Sequence, residues 1–244
     1  MVTIQCQNIT FANIQAIFFD KNGTLEDSES YLRSLGQKAS RIIDAQIPGT
    51  GEPLLMAFGI NGNSIDPAGL IAVGSRRETE IATAAYIAET GRGWFESLRI
   101  ARNSLNEAEK YLEKSPAPLF PGSLELLQSL SAAGIKLGII SAATTAEVKA
   151  FVARYKLNDY IQAEIGVDDG PGKPDPALFL QACRVLGVEP SAALMVGDAV
   201  GDMQMARNAK AAGCIGITWI GKSDHVQGAD VVIHQLNEIQ VLGF

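Results

Sequence analysis

The segment Asp20-Lys21-Asn22-Gly23-Thr24 stands directly behind the apolar run Ala16-Ile17-Phe18-Phe19. A buried strand that stops at a carboxylate and turns over a glycine puts that carboxylate at the carboxyl edge of a sheet, where open α/β folds hold their ligands. Taken alone, Asp followed by Gly is an ordinary turn. Three further segments, each closing an apolar run or a loop, change its meaning. Ser141 closes Leu137-Gly138-Ile139-Ile140, Lys173 sits in Gly172-Lys173-Pro174-Asp175-Pro176, and Gly197-Asp198-Ala199-Val200-Gly201-Asp202 follows Ala193-Leu194-Met195-Val196. The chemistry this set suits is phosphoryl transfer, which needs an in-line nucleophile and neutralisation of the phosphate oxygens. Asp20 can attack phosphorus and split one hard displacement into two. Lys173 is a compact cation able to pair with both Asp20 and a phosphate oxygen. The Ser141 hydroxyl and the amides of Ala142, Asn22 and Gly23 can donate to phosphate, with Thr24 beside them. Asp20, Asp198 and Asp202 are oxygen donors, the ligand type of Mg²⁺.

Together the four segments resemble the four motifs of the haloacid dehalogenase-like (HAD) superfamily, in its phosphoglycolate-phosphatase-like branch. The resemblance covers the chain outside roughly residues 28 to 115. It implies an α/β core with a Rossmann-like parallel sheet, built from residues 1–27 and 116–244, and an all-helical cap domain at 28–115 lying over the site. It also implies that the backbone carbonyl of Asn22 is a third metal ligand beside Asp20 and Asp198, and that Asp202 acts through water or by holding Lys173. One departure matters: the phosphatases of this family carry Asp two residues after the nucleophile, where this chain carries Asn22. An amide can hydrogen-bond but has no proton to exchange near neutral pH. Losing a general acid or base costs ~10²–10⁴ in rate. The expected activity is therefore an Mg²⁺-dependent phosphatase of small phosphorylated metabolites, slow on alkyl phosphates and less impaired on aryl or acyl phosphates. Two alternatives stay open: a phosphate-binding or regulatory module that has lost catalysis, and a dehalogenase or phosphonatase of the same fold. Dehalogenation would leave Asp198 and Asp202 an unneeded cluster of negative charge, and the cap holds no convincing Schiff-base lysine.

The elements that must position these residues are legible as periods. From residue 120 onward, short apolar runs alternate with helical patterns, the form of a right-handed βαβ series. Strands are predicted at Ile135–Ile140, Ile161–Ile165, Ala193–Val196, Cys214–Thr218 and Asp230–Ile233, and Ala16–Phe19 must join their sheet. Residues 28–115 are alanine-rich and helical, with Tyr31, Leu35, Ala39 and Ile42 on one stripe and Ile81, Ala84, Ala85 and Ala88 on another. Within them Arg76 and Arg77 are the candidates for gripping a second anionic group of the substrate. Trp94 and Phe95 are read as core, with lining a pocket as the alternative. Hinges are expected at Glu26–Glu29 and Lys114–Pro118.

Composition bounds the rest. At 244 residues and 47% hydrophobic, the chain can bury a full core and a smaller second one. A net charge of -7 argues against nucleic-acid and membrane-surface partners, which call for clustered Lys and Arg. Any anionic substrate must be attracted locally. Three cysteines without paired spacing suggest neither a disulfide framework nor a zinc site, and Cys183 is expected in the core. No stretch of ~18 apolar residues is present and the amino terminus has no basic start, so a cytoplasmic monomer or homodimer is the expectation.

Overall fold

The computed structural model describes residues 2–112, 117–219 and 224–242. The chain opens on an antiparallel hairpin, β1 (Val2–Cys6) and β2 (Ile9–Ile14), followed by β3 (Ala16–Phe19), the strand ahead of Asp20. Next come α1 (Glu29–Gln46), α2 (Gly51–Phe58), the two short strands β4 (Ile60–Asn61) and β5 (Ser64–Ile65), α3 (Leu70–Val73), α4 (Arg76–Glu89) and α5 (Trp94–Leu112). The remainder alternates: α6 (Ser123–Ala132), β6 (Lys136–Ile140), α7 (Thr145–Arg154), β7 (Ile161–Ile165), α8 (Ala177–Leu186), β8 (Ala193–Gly197), α9 (Val200–Asn208), β9 (Gly213–Ile217), β10 (Val231–Ile233) and β11 (Ile239–Leu242). Two compact units result, Met1–Asp27 with Leu119–Phe244, and Ser28–Pro118. Of the hinge expected at Lys114–Pro118, residues 114–116 lie outside the described residues.

In the first unit six parallel strands run in the order β10-β9-β8-β3-β6-β7. The crossover helices cover both faces, which is why the central strands read as unbroken apolar runs. Alternate residues of β3 feed opposite cores. Ile17 and Phe19 join Leu126, Leu127 and Val148 on one face. Ala16 and Phe18 join Phe179 and Met203 on the other. Phe18 and Phe179 meet edge to face, 5.0 Å between ring centres. Cys183 lies in that second core, as its spacing predicted. The register then makes the site: Phe19 is paired with Ile139 on one side and Val196 on the other. Asp20, Ser141 and Asp198 therefore leave the sheet at the same edge. A three-stranded antiparallel sheet, β11-β1-β2, was not anticipated. Its inward residues Val2, Ile4 and Cys6 extend the first core.

In the second unit α1 and α5 pack through Leu35, Ala39, Leu105 and Ala108, with Tyr31 and Ile42 at the margin, the stripe expected for α1. Of the stripe expected for α4, Ala84 is buried but Ile81 and Ala85 are exposed. The helix also buries Thr79, Thr83 and Ile87. Alanine is too small to mark a face, and a threonine can turn inward when its hydroxyl finds a helical carbonyl, as Thr79 does with Ser75 O at 3.1 Å. The core reading of Trp94 and Phe95 also fails: they are 44% and 86% exposed. The inward stripe of α5 begins only at Ser97 and continues through Ile100, Ala101 and Ser104. Among the described residues no helix is long and apolar enough to cross a membrane.

Candidate active site

The backbone around Asp20 is tied down on both sides. Its amide donates to Val196 O at 2.8 Å, fastening the end of β3 to β8. Beyond it the chain folds tightly: the amides of Leu25 and Glu26 both donate to Lys21 O, and Gly23 N donates to Glu26 O. Gly23 has φ +74, and a Cβ built there would lie 1.9 Å from Asp198 Oδ2. The glycine is thus demanded by left-handed backbone and by the close approach of the Asp198 carboxylate. Thr24, fully buried, points its hydroxyl at the same carboxylate, Oγ1 to Oδ1 3.4 Å.

Asp20, Asp198 and Asp202 bring carboxylate oxygens within 4.8 Å of one another. Lys173 enters between two of them, Nζ lying 2.6 Å from Asp20 Oδ1 and 2.6 Å from Asp202 Oδ1. Asp202 sits in the first turn of α9, its second oxygen accepting from Ala199 N at 3.2 Å. The carboxylate lies against the backbone of Gly197, where a Cβ would come 2.4 Å from Asp202 Cγ. Three carboxylates thus face one ammonium, so full ionisation would leave two negative charges in a largely buried cluster. Electrostatics follows. Removal from water, reinforced by Asp20 and Asp202, pushes the Asp198 carboxyl well above its ordinary range. Burial lifts Asp202 to about 6 against the pull of Lys173. Burial works against the Lys173 ammonium, but Asp20 and Asp202 outweigh it and hold its pKa above the usual lysine value.

The other expected site residues are placed as follows. Ser141 is buried at the end of β6, its amide donating to Ile165 O at 3.0 Å and its Oγ accepting from Ala143 N at 3.2 Å. It shares the sheet edge with Asp20 without a hydrogen bond to the carboxylates, and Ala142 beside it is half-buried. Asn22 directs Oδ1 to Lys21 Nζ at 2.5 Å. Arg76 and Arg77 begin α4 in the other unit. The Arg76 guanidinium is taken up there by Glu80, Glu109 and Asn106. Arg77 is exposed.

Sequence reasoning missed a supporting layer around the Asp20 loop. Trp219 Nε1 donates to Gly23 O at 2.9 Å, and its ring stacks on Phe120 with centres 3.9 Å apart. Phe120 N in turn donates to Leu25 O. Lys21 pairs with Glu26 Oε2 at 2.8 Å. The one legible hint was the last: opposite charges flanking a glycine turn five positions apart.

With the fold and the strand-end cluster in view, comparison with known proteins is informative. The family model described as haloacid dehalogenase-like hydrolase matches residues 14–210. The chain belongs to the haloacid dehalogenase-like hydrolases. Similar relatives include the phosphoglycolate phosphatase of Shigella sonnei strain Ss046, 27% identical with 94% of this chain and 92% of the relative covered. The phosphoglycolate phosphatase of Escherichia coli strain K12 is 26% identical over the same shares. A solved structure of a predicted phosphoglycolate phosphatase from Haemophilus somnus 129pt matches the fold with a TM-score of 0.69 at 20% identity, covering 92% of this chain and 96% of that one.

Proposed function

We propose that this hydrolase is an Mg²⁺-dependent phosphatase of small phosphorylated metabolites, working through an aspartyl-phosphate on Asp20, with turnover held down by Asn22. The observation that carries the reading is the cluster itself: three carboxylates and one lysine gathered at the carboxyl edge of a parallel sheet, two negative charges in excess. That excess, the all-oxygen donor set and an Asp198 carboxylate with no ion-pair partner among the described residues suit a hard divalent cation. Asp20, Asp198 and the Asn22 backbone carbonyl would hold Mg²⁺, with Asp202 acting through Lys173. When bound, the ion supplies charge that offsets repulsion between an anionic nucleophile and an anionic phosphate.

The chain's own residues do the rest. An Asp20 carboxylate oxygen attacks phosphorus, the bond from phosphorus to the substrate oxygen breaks, and the leaving oxygen takes its proton from water because Asn22 has none to give. Water then attacks phosphorus, freeing phosphate and restoring Asp20. Lys173 orients Asp20 and neutralises a phosphate oxygen. Ser141, Ala142 and Gly23 supply donors to the phosphate, while Thr24 steadies Asp198. Arg76 is taken up by Glu80 and Glu109, so of the two arginines Arg77 is the candidate for a second anionic group of the substrate.

A panel of aryl and alkyl phosphates with Mg²⁺, run on this chain and on Asn22→Asp side by side, tests the proposal. The substitution should raise turnover at least ~10-fold, most on alkyl phosphates, and a chelator should abolish both activities. Equal rates for the two proteins, or a hydrolytic activity on haloacids that survives the chelator, would defeat it.

A further inference from the structure

We infer that Lys21 is a positioning residue: clamped by Glu26, it holds the side chain at position 22 by its acceptor oxygen, so that the only function this position can offer a phosphate or leaving oxygen is the pair of N–H donors. The inference rests on the function proposed above. An ammonium has three donors and no acceptor, so only the oxygen of the Asn22 amide can meet it. The contact is charge-assisted, Lys21 Nζ to Oδ1 2.5 Å.

Lys21 is not a solvated surface lysine. Its side chain is 12% exposed and that of its partner Glu26 is 7% exposed. The ammonium also lies 5.7 Å from the centre of the Phe151 ring, within reach of its negative face. Glu26 is itself fixed, because its amide donates to Lys21 O, its carbonyl accepts from Gly23 N, and it forms a bridge with Leu119. Rotation of the Asn22 amide would therefore break a charge-assisted bond inside a largely buried network. Without the clamp, an amide flip would turn an oxygen toward an anionic substrate half of the time. With it, position 22 is set as a donor. The same clamp would grip one oxygen of a carboxylate in Asn22→Asp and leave the other free.

The test removes both charges at once, as Lys21→Met with Glu26→Gln, so that no unpaired charge is left buried. The paired change is made in this chain and in the Asn22→Ala background. One readout is the Asn22 side-chain amide signal in ¹⁵N–¹H spectra, assigned by its loss in Asn22→Ala. The other is affinity for inorganic phosphate in the presence of Mg²⁺. The clamp predicts that removing the pair moves the amide signal, speeds its hydrogen exchange, and weakens phosphate binding by ~3–10-fold, the size of one hydrogen bond. In the Asn22→Ala background the same change should alter phosphate affinity by less than about twofold. Lys21→Arg, which keeps a donor and the ion pair, should restore the parent behaviour.

A loss of equal size in both backgrounds, or an unmoved amide signal, overturns the inference. Should the paired variant fail to fold, Lys21→Met alone removes the donor to Asn22 Oδ1 and is read in the same way. The spectroscopic arm needs no turnover, so absence of phosphatase activity would defeat the proposed function without deciding the role of Lys21.

Discussion

Lys173 and Arg76 are each held between two carboxylates, yet the two trios differ in kind. Around Arg76, Glu80 is also paired with Arg102, so two guanidinium groups face two carboxylates, and Arg76 and Arg102 are 23% and 62% exposed. Charge there is balanced and the groups are partly open to water, so water and a remaining partner soften the loss of any one pair. Around Lys173, whose side chain is 9% exposed, a third carboxylate is added without a further cation among the described residues. That excess is costly to maintain in a folded protein unless something cationic comes to it. The contrast teaches that an Asp-Lys-Asp trio is read by its imbalance and its burial, not by its ion pairs.

The hardest way to break the comparison is to remove one carboxylate from each trio and follow turnover. Asp20→Asn should cost ~10³-fold or more in hydrolysis of an aryl phosphate, because the group that bonds to phosphorus is gone. Glu80→Gln in the other trio should leave the rate within about twofold, since Glu80 is not one of the three clustered carboxylates. Comparable losses would mean that the site has been drawn in the wrong place.

Removing the two cations sharpens the same contrast on stability. Lys173→Met strands Asp20 and Asp202 together and should cost ~3–5 kcal/mol in denaturant unfolding. Arg76→Met should cost ~0–1 kcal/mol. Midpoints that shift equally would show that burial does not separate the trios.

Metal is the next lever. Mg²⁺ at a hundred times its dissociation constant should stabilise the chain by ~2.7 kcal/mol, and substitution of Asp198 by Asn should remove most of this. The sign with pH follows from the raised carboxyls. The folded chain keeps protons on Asp198 and Asp202 where the unfolded chain has released them. Metal-free stability therefore falls as pH rises from the ordinary carboxylate value of 3.8 through about 6. Mg²⁺ needs those groups ionised, so the thermal shift it produces should grow across that window. A shift that shrinks with rising pH would contradict the assignment.

The contrast also explains what was legible in the sequence. The motif carboxylates and Lys173 were readable because each closes an apolar run, and the period-two and period-3.6 patterns that carry them are set by burial on both faces of one sheet. The antiparallel strands β1, β2 and β11 were not readable, because a short half-buried strand with polar alternation looks like any loop edge until its partner is known. The α4 stripe misled because alanine marks no face, and Trp94 and Phe95 misled because aromatic size was taken for burial. Arg76 looked available although Glu80 stands at the legible i,i+4 spacing, because Glu109, 33 positions away, reaches it only through tertiary packing. Phe120 and Trp219 escaped because their contacts are set by tertiary neighbours that no spacing announces, whereas Lys21 and Glu26, five positions apart, left a hint that went unused.

The smallest effect compares the two tryptophans. Trp219 braces the Asp20 loop through one indole hydrogen bond to Gly23 O and a stack on Phe120. Trp94 starts α5 with nearly half its surface in water. Trp219→Phe keeps an aromatic ring for the stack but deletes the donor. It should cost ~0.5–1.5 kcal/mol, and because Gly23 sits against Asp198, it should weaken Mg²⁺ binding by a few-fold as well. Trp94→Phe removes little buried surface and should leave both unfolding and Mg²⁺ affinity unchanged. If Trp219→Phe lowered stability with no change in metal affinity, the brace would serve folding alone, and the Gly23–Asp198 approach would have to be maintained by the strand ends themselves.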